Sequence, residues 1–440
     1  MNTPDLYEIY LVHPKICIDS RLVSKDAIFF ALRGPNFNGN VYAEKALETC
    51  SYAVVDDESV VKSDKYILVE NVLDKLQKLA KYHRKRLGIP VLAITGTNGK
   101  TTTKELVTRV LSKKYKTAST KGNFNNHIGV PLTLLEITKE HEFAVIEMGA
   151  NHQGEISLLC KLAAPDFGLI TNVGKAHLEG FGSFEGVKKA KSELYRYLYE
   201  NDGTAFINYD NELLEDLNPP HSAIYYGTRG FTHCQGRIES NGVFLKFRWV
   251  SSDDDNISNE IEWKKDGKLI TTKLIGEYNF ENALAAVCIG KKFNISERRI
   301  KQAIESYTPQ NNRSQFTETS KNRIIIDSYN ANPTSMKASL ENFTKLTATN
   351  KIVILGDMFE LGAAAIREHG VVMALLEEYE IENAILIGSL FKNYSEVGNF
   401  NFFSNTEEAA NYLEKIDLKD HLVLLKGSRA MKLEEIISYL

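Results

Sequence analysis

The chain has no pair of cysteines at a redox or metal-binding spacing. Its five (Cys17, Cys50, Cys160, Cys234 and Cys288) are scattered and odd in number. That argues against a disulfide framework or a zinc site and fits buried thiols in a reducing compartment. Long apolar runs are missing too. None approaches the roughly 18 residues of a membrane-spanning helix, and the start, Met1-Asn-Thr-Pro-Asp-Leu-Tyr-Glu8, lacks the basic and apolar segments of a secretory signal. The expectation is a cytoplasmic protein with no membrane insertion. Neither sign of charge is in excess: 53 Lys and Arg face 57 Asp and Glu, for a net −4. A broad polyanion-binding face is therefore not expected, which sets nucleic acid aside as a partner. Tandem repeats and low-complexity linkers are absent, and a monomer is the simplest expectation.

What is present is a globular composition, 43% hydrophobic and 25% charged, over 440 residues. That length suggests about three domains. The most informative stretch is Ile94-Thr-Gly-Thr-Asn-Gly-Lys-Thr-Thr102. A β-branched run, Val91–Thr95, breaks at Gly96-Thr97-Asn98-Gly99, and a helical pattern follows from Lys100. Such a junction aims free backbone N–H groups and the positive end of a helix dipole at one point, which suits a phosphate. Lys100 adds a mobile charge, and the Thr101 hydroxyl, followed by Thr102, can hold Mg²⁺. The common phosphate loop has glycine five positions before the Gly-Lys pair; Ile94 stands there, so this is the compact form.

Residues 1 to about 85 read as a small mixed α/β domain, with helical stretches near 41–49 and 72–86. From 86 to 312 strands (91–95, 143–147, 167–171, 204–208) alternate with helices (102–111, 155–162, 184–199), as a parallel α/β sheet requires. Residues 222–275 alternate polar and apolar around the acidic loop Ser252-Asp-Asp-Asp-Asn256 and read as an antiparallel excursion. Helices over 279–291 and 297–306 close this domain. From 313 to 440 the alternation restarts, with strands at 323–327, 351–355, 383–387 and 421–425 and helices at 335–346, 363–379 and 406–416. This third domain is of dinucleotide-fold type without a G-x-G-x-x-G, and fold alone gives it no cofactor.

Polar residues gather where open α/β sheets bind ligands, at the ends of strands. Glu147-Met-Gly-Ala150 follows one strand and Thr171-Asn-Val-Gly-Lys-Ala-His177 another, with Lys191 and Glu193 on the next helix. Oxygen ligands and an imidazole near a triphosphate suit Mg²⁺. Each has a plainer reading alone: Glu147 as a solvated strand end, His177 as a structural loop residue, Lys191 as one charge on an exposed face. The amide-rich stretch Lys121-Gly-Asn-Phe-Asn-Asn-His-Ile-Gly-Val-Pro131 forms a turn on its plainer reading. Asp327-Ser-Tyr-Asn-Ala-Asn-Pro333, Gly356-Asp-Met-Phe-Glu-Leu-Gly362 and Lys426-Gly-Ser-Arg429 all follow buried strands, so they should line one edge of the third sheet.

Together these segments resemble the Mur ligase family, ATP-dependent amide ligases of bacterial peptidoglycan precursor synthesis. The resemblance runs over nearly the whole chain and implies an N-terminal uridine-nucleotide domain, a central ATPase domain and a Rossmann-like C-terminal domain. The three C-terminal motifs are similar to those of the branch that joins D-alanyl-D-alanine to UDP-N-acetylmuramoyl-tripeptide. In the family pattern Gly96, Thr97, Asn98, Gly99, Lys100, Thr101 and Thr102 hold ATP. Thr101, Glu147, His177 and Lys191 serve two Mg²⁺ ions, Lys191 as a carbamate that turns a cation into an oxygen ligand. Lys100, Glu147, His177 and Lys191 form the implied catalytic set. Asn279 and Asn282 match adenine-site positions, and Arg313 and Asp327 match residues near ribose and phosphates. Substrate positions implied by the resemblance are Ser20, Arg21 and Gly34 in the first domain, Asn123 and Asn126 in the second, and Tyr329, Asn330, Asn332, Lys426, Ser428 and Arg429 in the third. Three places depart from the pattern: Asn38-Gly-Asn40 where the family often has Asp-Gly-His, Tyr278-Asn279 for His-Asn, and Asn312-Arg313-Ser314 for Gly-Arg.

Two other readings stay open at this level. A sister ligase would add a single amino acid to a nucleotide-sugar peptide, or glutamate to folate. An ATP-driven conformational switch would have no need of the Glu147, His177 and Lys191 set.

Overall fold

Three parallel-dominated sheets organise the chain in the computed structural model, which describes residues 1–230, 232–239, 242–251, 263–310 and 312–440. The acidic loop 252–256 lies outside the described residues. In the first unit four strands pair in parallel in the order Lys15–Cys17, Ala27–Phe30, Tyr52–Val55, Tyr66–Leu68. The helix Val72–Leu87 then leads into the central unit. Asn71 caps its start by accepting from Asp74 N, Gly88 ends it with φ 65, and Val72, Leu76, Leu79 and Ala80 form its buried face. That spacing is the helical one. The helix packs on Gly129–Leu135 of the central unit, and one continuous core runs from Leu6, Tyr10 and Phe30 through Leu76 to Val91, Leu134 and Ile146. Leu76, fully buried there, would cost about 2–5 kcal/mol as alanine.

The central sheet has nine strands. Val91–Thr95 lies between Phe143–Glu147 and Phe167–Ile170, all parallel, and the chain reverses its direction of progress across the sheet there. A crevice opens at such a switch point, and it is here that Gly96, Glu147 and Thr171 emerge side by side. The region expected to be antiparallel is so only in part. Ser222–Gly227 runs parallel to Thr204–Asn208, Cys234–Ile238 pairs in parallel with it, and antiparallel pairing begins with Phe244–Ser251 and Lys268–Ile275. Alternating polarity marks a strand with one solvated face, which is commoner in antiparallel sheets but does not require an antiparallel neighbour.

In the third sheet Arg323–Asp327, Leu422–Lys426 and Lys351–Gly356 are adjacent and parallel, continuing to Ala384–Ile387 and Asn401–Phe403, while Gln315–Glu318 adds an antiparallel edge. Asp327, Lys426 and Asp357 consequently leave one edge together, as the motif positions require. No helix among the described residues is long and apolar enough to cross a membrane. All five cysteines are buried and free.

Candidate active site

Two glycines define the phosphate loop. At Gly96 (φ 140) a Cβ would sit 2.0 Å from Thr171 Oγ1, and at Gly99 (φ 78) 2.5 Å from Asn282 Oδ1. The loop between them is tied to the next strand's end. Thr171 Oγ1 donates to Asn98 O (2.6 Å), Asn172 Oδ1 accepts from Asn98 N (3.0 Å), and Thr97 Oγ1 accepts from Gly174 N (2.9 Å). Gly99 caps the helix Lys100–Leu111, whose first-turn N–H groups have no intrahelical acceptor and so favour an anion.

The cations around this loop are under-compensated. Lys100 Nζ folds back to donate to Gly96 O (2.8 Å) and Thr97 O (2.9 Å). Burial lowers its pKa to about 8 against the attraction of Glu147, and Arg313 lowers it further. Lys191 shares the buried face of helix Phe184–Glu200 with Val187, Ala190 and Leu194 and is 2% exposed, so the exposed-face reading fails. Burial brings its pKa down to about 7, and Lys100 pushes the same way, while Glu193 and Glu155 oppose. His177 has left-handed backbone (φ 48), and its Nδ1 lies 2.6 Å from Glu360 Oε2 of the third unit. Burial depresses its pKa most; Glu360 opposes, and Lys100 and Lys191 push it down. Two lysines and an imidazole that repel one another mark a place suited to negative charge.

Glu147 supplies the hard oxygen. Its Oε1 accepts from Thr101 Oγ1 (3.2 Å) and Asn125 Nδ2 (2.8 Å), whereas Oε2 is buried and meets no donor among the described residues. A buried carboxylate oxygen without a donor fits a cation. Among the described residues no three His, Cys, Asp or Glu side chains gather as a metal cage.

The third unit forms the facing wall of a cleft of ≈ 700 Å³ lined by Thr97–Thr102, Asn123, Asn126, Glu147, His177, Asn279, Asn282, Arg313, Asp327, Tyr329, Asn330 and Lys426. Asp327 accepts from Lys426 Nζ (2.6 Å), Ser339 Oγ (3.0 Å) and Ser314 N (3.2 Å). Burial alone would raise its pKa, but Lys426 and these donors hold it below the usual carboxylate value. The guanidinium of Arg313 lies 3.6 Å from the centre of the Tyr329 ring, and that of Arg429 5.3 Å. Asn332 Nδ2 crosses the cleft to donate to Asn98 Oδ1 (2.8 Å).

Some expected site residues are engaged in holding the protein together. Asn282 accepts from Thr103 Oγ1 and donates to Asn279 Oδ1, and Asn279 donates to Ile275 O. Asn126 Oδ1 accepts from Ile128 N and Gly129 N, so the amide-rich stretch makes a turn and lines the cleft at once. Ser428 Oγ accepts from Phe359 N. Ser20, Arg21 and Gly34 lie apart from this cleft. Arg21 pairs with Asp19 (2.7 Å) and its side chain is 85% exposed. Asn40, at one of the departures from the family pattern, is buried with its amide donating to Asp56 Oδ1 and accepting from Asp56 N. Sequence reasoning did not single out Asn125, Asn172 or Glu360, each inside a motif whose neighbours drew attention.

The Mur ligase middle domain family matches residues 94–290, and the Mur ligase glutamate ligase domain family matches 312–429. The UDP-N-acetylmuramoyl-tripeptide–D-alanyl-D-alanine ligase of Bacillus subtilis is 35% identical, with 98% of this chain and 93% of that protein covered. The enzyme of that name from Escherichia coli is 30% identical over 96% and 92%. Among solved structures, MurF from Acinetobacter baumannii superposes with TM-score 0.85 at 29% identity, covering 96% of this chain and 92% of that one. MurF ligase from Thermotoga maritima in complex with ADP gives 0.84 at 25%, covering 98% and 97%. With both family domains matched in order and full-length relatives above 30% identity, the chain belongs to the Mur ligase family.

Proposed function

We propose that this protein is an ATP-dependent amide ligase that joins D-alanyl-D-alanine to UDP-N-acetylmuramoyl-tripeptide in peptidoglycan precursor synthesis. The observation that carries the reading is the shared cleft: the phosphate loop and the third unit's Asp327, Asn330 and Lys426 line one space, so a nucleotide and an incoming amine can meet there. The full-length relatives bear this activity in their names. Residues 1–85 take the uridine nucleotide, 86–312 take ATP, and 313–440 help bind the amine.

The helix N-terminus at Lys100 and the Lys100 ammonium draw the triphosphate into the loop and offset its charge, so that the tripeptide's terminal carboxylate can approach the γ-phosphate. Attack yields an acyl phosphate and ADP. The dipeptide's free amine then adds to the acyl carbon, and phosphate leaves. The walls contributed by the second and third units exclude water, which would hydrolyse that intermediate. Thr101 and Glu147 would hold Mg²⁺, with His177 and a modified Lys191 serving a second ion, and the metal supplies charge neutralisation at the phosphates. Lys191 is suited to its modification. With a pKa near 7 much of it is free amine at neutral pH; that lone pair adds to CO₂, a proton passes to water, and a carbamate results.

The test is phosphate release from Mg-ATP with the tripeptide substrate, with and without D-alanyl-D-alanine, and mass spectrometry of the product. Release that requires both, with a product heavier by the dipeptide less water, is the expected result. Release indifferent to both would mark a switch, and release with a single amino acid would mark a sister ligase.

A further inference from the structure

Between the phosphate loop and the third unit lies a single thickness of chain, Gly174-Lys175, bonded on both faces. We propose that Lys175 is a positioning residue for the ligation site, whose ammonium, seated on the buried carboxylate of Glu368, holds the third unit against the phosphate loop. The inference rests on the ATP site and the acyl-phosphate chemistry proposed above.

One face of this stretch is bonded to the phosphate loop. Gly174 N donates to Thr97 Oγ1 (2.9 Å), that hydroxyl donates to Gly174 O (3.2 Å), and Thr97 N donates to Asn172 O (2.9 Å). The other face meets the helix Pro333–Lys345 of the third unit. Lys175 N donates to Thr334 Oγ1 (3.0 Å), and a Cβ at Gly174 would lie 2.7 Å from that oxygen and 2.9 Å from the Thr334 methyl. A side chain at 174 would push the two units apart; glycine lets them touch. Beside this contact Lys175 Nζ reaches across to Glu368, donating to Oε1 (3.1 Å) and Oε2 (3.4 Å). The ends of the pair are unequal. Lys175 is half-exposed, whereas Glu368 sits on the buried face of the helix Ala365–Glu378 at 1% exposure. Its other cation, Arg367, is largely exposed. A desolvated carboxylate depends on its counter-charges, so losing one is costly while the units stay docked. The cost is relieved once the third unit moves off and water reaches Glu368. The bridge is thus a latch: it favours the docked arrangement over an open one. Docking completes the nucleotide pocket, since Arg313 and Asp327 line it from the third unit. It also protects the acyl phosphate. Where the wall is loose, water adds to the acyl carbon, phosphate leaves, and the tripeptide carboxylate is regenerated with release of a proton.

Phosphate and product counted together test this in the full-length chain, because an unfolded fraction makes neither and leaves their ratio alone. The native chain is expected to release one phosphate for each dipeptide joined. Lys175→Met should raise the phosphate released per product several-fold, and Lys175→Arg should bring it back toward native. Glu368→Gln should match Lys175→Met, with the double variant no worse than either single one. Lys345→Gln removes the bridge to Glu277 (2.9 Å) at the far end of the helix Pro333–Lys345 and should leave the ratio native. Calorimetry with a non-hydrolysable ATP analogue should show binding weakened by roughly tenfold in Lys175→Met and in Glu368→Gln, and unchanged in Lys345→Gln. The proposal is overturned by a native ratio in Lys175→Met, by additive rises in the double variant, or by an equal rise in Lys345→Gln. A native chain that binds the analogue but makes no dipeptide-extended product removes the ligase reading. The latch then stands on analogue affinity alone, and native affinity in Lys175→Met overturns it.

Discussion

Two lysines are almost equally buried, Lys191 in the central unit at 2% exposure and Lys426 in the third unit at 1%, yet their surroundings differ completely. Lys426 donates to Asp327 at 2.6 Å, and that carboxylate is further supplied by Ser339 and Ser314. Lys191 meets the face of Phe181 at 5.6 Å and pairs with no carboxylate among the described residues; the largest charge acting on it is another cation, Lys100, against the weaker pull of Glu193 and Glu155. Burial with a partner makes a scaffold, and burial without one makes a reactive amine. The third unit's Lys426 thus arrives already neutralised by Asp327, while the central unit's Lys191 arrives short of negative charge, a shortage that a triphosphate and a carbamate both relieve.

The strongest way to break this contrast is to remove the reactive amine. Lys191→Ala should lower ligation on the order of a thousandfold, the scale at which preorganised charge acts on a transition state. High bicarbonate should not restore it, whereas short-chain carboxylates should do so in part, because they place an anionic oxygen where the carbamate would be. Full activity of the unrescued variant, measured by product formation, would remove Lys191 from the mechanism. Next comes the scaffold pair. Lys426→Met leaves the part-buried Asp327 without its counter-charge, held only by Ser339 and Ser314, and should cost about 2 kcal/mol in urea unfolding, with most of the loss recovered when Asp327→Asn is added. Additive losses in the double variant would show that the pair is not a unit.

The same substitution at Lys191 should act with the opposite sign. The unfolded amine has an ordinary pKa of about 10.4, and the folded one about 7. Between those values the unfolded chain holds a proton that the folded chain lacks, so stability falls as pH drops from about 10 to 7 and is level below that. In CO₂-free buffer, Lys191→Met should therefore be more stable than the native chain at pH 7 by about 4 kcal/mol, with the gap closing as pH rises toward 10. A gap independent of pH would mean that packing, and not the buried charge, sets it.

The sequence disclosed one side of this comparison better than the other. Gly96, Gly99, Lys100 and Thr101 are legible because a strand, a glycine break and a helix follow one another within a dozen residues, and local order alone builds the loop. Lys191 is not legible in this way: among Lys188, Lys189 and Glu193 only the helical phase relative to Val187 and Leu194 places it inward. Glu360 was beyond reach, because its partner lies 183 positions earlier in the chain, in another sheet's loop. The parallel pairing of Ser222–Gly227 was hidden for a related reason, since strand direction depends on a neighbour. Edge strands such as Thr117–Ser119 and Asn401–Phe403 are three residues long, too short for any period to register.

The smallest expected effect concerns the hydrogen bond that joins the two sides. Asn332 has two tasks at once. Its Oδ1 caps the helix Pro333–Lys345 by accepting from Ser335 N (2.9 Å), and its Nδ2 donates to Asn98 Oδ1 in the phosphate loop (2.8 Å). Asn332→Asp separates the tasks, because a carboxylate still accepts at the cap, and favourably so near a helix N-terminus, but has no proton to donate to Asn98. Stability should stay within about 0.5 kcal/mol of native, while KM for ATP rises several-fold, since the variant sets a negative charge beside the loop that binds the triphosphate. Asn332→Ala removes both tasks and should cost about 1 kcal/mol at the cap as well. If Asn332→Asp lowers stability as much as Asn332→Ala and leaves KM unchanged, the residue serves its own helix alone, and the two walls of the cleft are joined elsewhere, through Lys175 and Glu368 and through His177 and Glu360.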